Sequence, residues 1–259
     1  MKICEMLLWR KSEKPEISFD EVAERAYSTM ELFNALLPQY RPNFLTVWRK
    51  KDAKKLNWDY RDFKHILSEH VNREGQTTFP ELGYQISFFS DLSEEDMFGY
   101  EMCVGNTCEM FNNNLIVHFA PSFGMSDPLN LQLTEDLFRR AVQTFQPYWG
   151  CVTNWQGEYF DNRRGVPAMV HWLNYFSDET VHKIGLKKIN SMQRKYPEVR
   201  FDNGFLRIKD SMLDSDDKND LAYQTSIAKH IGFCRQHIRF YPFPGWLSHP
   251  GIFCLDAAL

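Results

Sequence analysis

Leu82–Val104 reads LGYQISFFSDLSEEDMFGYEMCV: two strand-length runs, Leu82–Phe89 and Gly99–Val104, on either side of the polar, turn-rich stretch Asp91–Asp96. Aromatic and β-branched residues suit a pleated, half-buried surface, and clusters of Asp, Ser and Glu interrupt it. In the second run Tyr100, Met102 and Val104 fall on one face and Glu101 on the other. That period of two is the signature of an antiparallel strand with one buried and one wet face. A third run, Leu115–Ala120, follows the turn-like Asn112–Asn114. The centre of the chain therefore predicts a sheet.

Outward from this centre the pattern changes to helices. Ser18-Phe19-Asp20-Glu21 has the S-x-x-E spacing of a capping box, and Val22, Ala26, Met30, Phe33 and Leu37 then recur at helical spacing as far as Pro38. A second helix is expected from about Asp59 to His70, carrying Phe63, Ile66 and Leu67. Downstream, Thr134 is expected to cap a helix that holds Leu137, Ala141, Val142 and Phe145 and stops near Pro147. Lys2–Leu8, Trp149–Trp155 and Pro167–Phe176 read as further strands, and Asp178–Met192 as a helix. Asn203-Gly204, between Val199–Asp202 and Phe205–Lys209, is the dipeptide that most readily supplies a type I′ hairpin turn. A last helix is expected over Asp217–Arg235, before a tail containing Pro242, Pro244, Gly245 and Pro250. Strands and helices mix without strict βαβ alternation, and no linker or low-complexity tract divides the chain. The expectation is one α+β domain over 1–259, a mixed, largely antiparallel sheet with helices packed on it.

Composition narrows the function classes. With 259 residues, 43% of them hydrophobic and 25% charged, the chain can bury a core without a metal or disulfide to hold it. Its mean hydropathy is −0.47, and no run approaches the roughly 18 apolar residues of a membrane-spanning helix. The start, MKICEMLLWRKSEKPE, lacks a secretory pattern, which predicts a cytoplasmic protein. Six cysteines without a C-x-x-C pair fit reduced thiols better than a disulfide framework or a zinc site.

Charge is more informative by position than in total. The net charge is −4, yet from Glu74 to Asp136 there is no Lys or Arg, while eleven acids give that stretch −11 and leave +7 for the remainder. A single-sign field of this kind bears on the choice of partner, and it points to a basic one. Direct nucleic-acid binding is disfavoured, because such a stretch repels phosphates.

Signatures of catalysis are missing. Neither G-x-G-x-x-G, the P-loop nor G-x-S-x-G occurs, and His65/His70 and His230/His237 lack the i, i+4 spacing of a helical metal site. E-x-K never occurs. D-x-K occurs at Asp52/Lys54, Asp62/Lys64 and Asp216/Lys218, none of them on a predicted strand, so a metal-dependent nuclease has no anchor. No cofactor or metal is expected. The competing class is a hydrolase-like cytoplasmic enzyme whose site the fold assembles, from acids of the central sheet with His118 or His171.

The order of these features, with ELGYQISFF (81–89), NNLIVHF (113–119), LFRRAVQTFQPYWGCVTN (137–154) and PAMVHWLNYF (167–176), resembles the immunity protein 52 family of bacterial polymorphic-toxin and type VI secretion systems. The resemblance implies an α+β protein encoded beside a toxin with a restriction-endonuclease-like nuclease domain, which it binds and neutralises in the producing cell. It carries over no catalytic residue. The electrostatics lead to the same place by a separate route, since a nuclease presents a basic cleft and an inhibitor gains from a matching acidic surface. The toxin-facing residues expected are Asp91, Glu94, Glu95, Asp96 and Glu109, in or beside turns, with Glu101 opposite the apolar face. The second choice is the loop holding Trp155, Glu158, Tyr159 and Asp161.

Overall fold

In the computed structural model, which describes residues 4–46, 52–53, 55–154, 170–214 and 216–233, the strands are β1 (Glu5–Arg10), β2 (Phe44–Leu45), β3 (Arg73–Glu74), β4 (Thr77–Thr78), β5 (Tyr84–Phe89), β6 (Gly99–Val104), β7 (Asn113–His118), β8 (Trp149–Thr153), β9 (Leu173–Phe176), β10 (Arg200–Asp202) and β11 (Phe205–Arg207). Nine of them form one sheet in the order β10-β11-β9-β8-β1-β7-β6-β5-β2, and β3 and β4 form a separate ribbon. Every described pair is antiparallel. The helices are α1 (Phe19–Leu36), α2 (Tyr60–Glu69), α3 (Pro128–Phe145), α4 (Asp178–Ile184), α5 (Leu186–Lys195) and α6 (Lys218–Ile231). The architecture is α+β, as the sequence predicts.

Register explains which face is covered. Met6 lies opposite Val117, which lies opposite Tyr100, and Leu8 opposite Leu115, which lies opposite Met102. These six side chains are at most 1% exposed. The helices α1–α3 cover this face: Phe33 of α1 meets Tyr100 edge-on at 5.4 Å, Phe63 of α2 stacks on Phe88 at 6.1 Å, and Phe138 of α3 meets Phe205 at 6.0 Å. Along β6 the alternation is as expected, with Tyr100, Met102 and Val104 buried and the residues between them half-buried. The opposite face is sealed over β8 and β9, where Trp149, Cys151, Asn174 and Phe176 are buried and Phe233, just past α6, meets Phe176 at 5.6 Å. Over β7 and β6 that second face stays half-open.

Several boundaries differ from the expected ones, each for a local reason. The capping box of α1 forms as read, with the Ser18 hydroxyl accepting from the Glu21 amide and the Glu21 carboxylate accepting from the Ser18 amide. The third helix, however, starts two turns before Thr134: Asp127 caps it, accepting from the Leu129 amide, and Pro128 opens it. Thr134 is buried inside the helix and bonds back to the Asn130 carbonyl at 2.7 Å. The expected helix over 178–192 is two, because Gly185 at φ 90° ends α4 and precedes α5. Asn113, expected in a turn, begins β7 as a buried pin, its amide donating to the carbonyls of Lys11 and Asn106 and its side-chain oxygen accepting from the Asn106 amide. The opening strand is shifted to Glu5–Arg10, and within the expected Pro167–Phe176 strand the described part pairs only from Leu173. The hairpin turn has Asn203 at φ 48° and Gly204 at φ 84°, the type I′ signature.

Candidate interaction surface

The β5–β6 connection stands at one end of the sheet, and the acids Asp91, Glu94, Glu95 and Asp96 are all exposed on it. Backbone bonds hold this loop in place. Its base is closed by the Ser90 amide on the Phe98 carbonyl at 2.9 Å and by the Phe98 amide on the Ser90 hydroxyl at 2.8 Å. Asp91 accepts from the Ser93 amide at 2.8 Å, and the Ser122 amide donates to the Glu95 carbonyl at 3.0 Å, which fixes the loop to the segment after β7. Leu92 stands among these acids 53% exposed. A charged loop ordered before binding loses little conformational freedom when a partner arrives.

Two of the expected acids are placed differently. Glu109 is exposed, but it lies in the β6–β7 connection, at the far end of β6 from the Asp91–Asp96 loop. Six residues of strand separate the two by roughly 20 Å, so they do not form one patch. Glu101 is not the exposed acid that its alternation suggests. Its side chain is only 13% exposed, because the half-open face brings His118 against it. His118 Nε2 is 3.2 Å from Glu101 Oε1, and His118 Nδ1 is 3.0 Å from Glu5 Oε1.

This Glu5–His118–Glu101 cluster ties β1, β7 and β6 together. Both ring nitrogens face carboxylate oxygens, and only a doubly protonated ring can donate to both. Burial opposes the charge, but the two carboxylates outweigh it and raise the pKa of His118 to about 9. At neutral pH the ring is an imidazolium and has no lone pair to act as a base. His171 is the reverse case, fully buried, with its pKa lowered to about 4 by burial. It precedes β9, three inter-strand spacings or about 14 Å from His118, so the two histidines, either of which the hydrolase alternative would use, stand at separate places in the sheet.

Cys4, Cys103, Cys108 and Cys151 are free thiols, and burial pushes Cys4 and Cys151 well up and Cys103 to about 11, away from the reactive thiolate. Ser191 Oγ lies 2.6 Å from His230 Nε2 across α5 and α6, a pair that sequence spacing does not reveal. Among the described residues no carboxylate is bonded to His230, and no group of three His, Cys, Asp or Glu could hold a metal ion. The second-choice residues Trp155, Glu158, Tyr159 and Asp161 lie outside the described residues. Glu5, which no sequence pattern singled out, joins the cluster only through the strand order, as β1 lies beside β7.

Fold and surface together define an α+β protein on one antiparallel sheet, with an ordered acidic loop at one sheet end. No family model matches the chain, so none stands behind the resemblance to the immunity protein 52 family, and no curated protein matches it. Among solved structures it is similar to the Pseudomonas aeruginosa T6SS protein PA0821, with a TM-score of 0.54 and 14% identity, covering 90% of this chain and 77% of that one. At that identity the likeness is one of fold.

Proposed function

We propose that this chain is an immunity protein of the type VI secretion kind, which binds and neutralises a cognate nuclease-type toxin in the cytoplasm of the producing bacterium. The observation that carries the reading is the exposed, hydrogen-bonded Asp91–Asp96 loop in a stretch of 63 residues without a Lys or Arg. Such a surface complements the basic cleft of a DNA-cleaving domain, raising both association rate and specificity. Neutralisation needs no catalysis, since covering the cleft or holding the toxin in an inactive arrangement suffices. The fold shared with a T6SS protein supports the context.

The test uses the toxin encoded by the adjacent reading frame. Its association and dissociation with this protein are measured at two salt concentrations, alongside protection of cells that express it. Reversing Glu94→Lys, Glu95→Lys and Asp96→Lys together is expected to slow association several-fold, and the wild-type rate is expected to fall with salt. A toxin that does not bind the wild-type protein overturns the reading. Unchanged kinetics and full protection in a folded triple variant move the interface elsewhere, with residues 155–161 the next place to look.

A further inference from the structure

The acidic loop has a neighbour. Beyond Ser122, the residue bonded to Glu95, the chain passes along an open groove of about 450 Å³ between the β7–α3 connection and residues 211–214. Its apolar lining comes from Ala120, Pro121, Met125, Leu131, Met212 and Leu213. The Asn154 amide donates to the Leu213 carbonyl, which joins the end of β8 to the far wall.

Among the described residues no Lys or Arg lines the groove, and the one charged lining residue is Asp214, whose carboxylate accepts from the Asp216 amide at 2.9 Å. Around the groove stand Asp127, the cap of α3, and Asp217, the cap of α6, both exposed, with Glu95 across Ser122. Of the nearby bases, Lys209 is held by Asp220 at 2.6 Å and Lys218 follows Asp217 in α6. An apolar floor with an acidic rim is complementary to a cationic segment with an apolar face, and repels an acidic one.

We infer that this groove is the anchoring half of the interface, taking a cationic, apolar-faced segment of the toxin, while the Asp91–Asp96 loop steers its approach. The inference rests on the binding role proposed above. The two halves differ in kinetics. Exposed charges act on association, whereas apolar side chains desolvated in a groove act on dissociation.

The experiment measures both rates with the adjacent-gene toxin for two groove variants, each checked for folding by thermal melting and for self-association by light scattering. Met212→Ser shortens the apolar lining, and Ser211→Trp fills the groove from an exposed position. Both are expected to speed dissociation about tenfold, with association within about twofold of wild type. Wild-type dissociation in both folded variants overturns the inference while the loop reading stands, provided the triple charge reversal still slows association. A change in the monomer–dimer balance with unaltered toxin kinetics also overturns it and assigns the groove to a second copy of this chain. Failure of the wild-type protein to bind the toxin overturns both readings at once.

Discussion

At the scale of single residues the most consequential placement is His118. Its ring is charged because two carboxylates face it, and that charge has a thermodynamic signature. The folded pKa of about 9 lies above the ordinary 6.5, so the stabilisation is fully present below pH 6.5, declines as pH rises, and is gone above about 9. The expected outcome is that His118→Gln melts below wild type at pH 6.5 and that the gap narrows steadily toward pH 10. A gap independent of pH would show that His118 contributes packing alone. Nothing in the local sequence foretells this cluster. The alternation of β6 correctly takes Glu101 off the core face, but whether that face is open to water is decided by what β7 and β1 present beside it.

Among the elements, short-range signals were legible wherever they act through the backbone nearby. Ser18 and Glu21 satisfy each other's amides within one turn, and Asn203-Gly204 supplies two positive φ angles without help from the remainder of the fold. The start of α3 was also written locally, in Asp127-Pro128, but Thr134 offered a competing cap that the helix absorbs by bonding Thr134 to Asn130. The hairpin supplies a test. A Cβ on Gly204 would sit 2.4 Å from the Phe176 carbonyl oxygen, whereas one on Gly75, at φ 59°, meets nothing within 4 Å. Gly204→Ala is therefore expected to cost about 2–3 kcal/mol, and Gly75→Ala about 1 kcal/mol from its left-handed backbone alone. Denaturant melts of the two variants decide it. Equal losses would mean that the contact with Phe176 relaxes freely.

For the whole molecule, the base-free stretch is continuous in sequence and divided in space. β6 runs the height of the sheet, so its preceding loop carries Asp91–Asp96 at one end and its following loop carries Glu109 at the other. The separation of roughly 20 Å exceeds the screening length of about 8 Å at physiological salt, and the two ends act on a partner independently. Reversing Glu109→Lys is expected to leave toxin association and its salt dependence at wild-type values, in contrast to reversal at Glu94, Glu95 and Asp96. Equal slowing by Glu109→Lys would show that the toxin spans both ends or docks on the other one.

The sequence by itself determined the fold class, the capped first helix, the alternation of β6, the hairpin at Asn203-Gly204 and the exposure of the acids in the β5–β6 loop. These depend on spacing, on local hydrogen bonds and on the solvation of charge, all of which act over a few residues. Only the tertiary structure decided that the N-terminal strand lies at the centre of the sheet, between β7 and β8. From that placement follow the cluster of Glu5 with His118 and Glu101, the removal of Glu101 from the exposed surface, the separation of His118 from His171, and the groove between residues 120–131 and 211–214. The physical reason is that strand order is set by long-range burial of the Met6–Val117–Tyr100 and Leu8–Leu115–Met102 rows under α1–α3. No single segment encodes that packing.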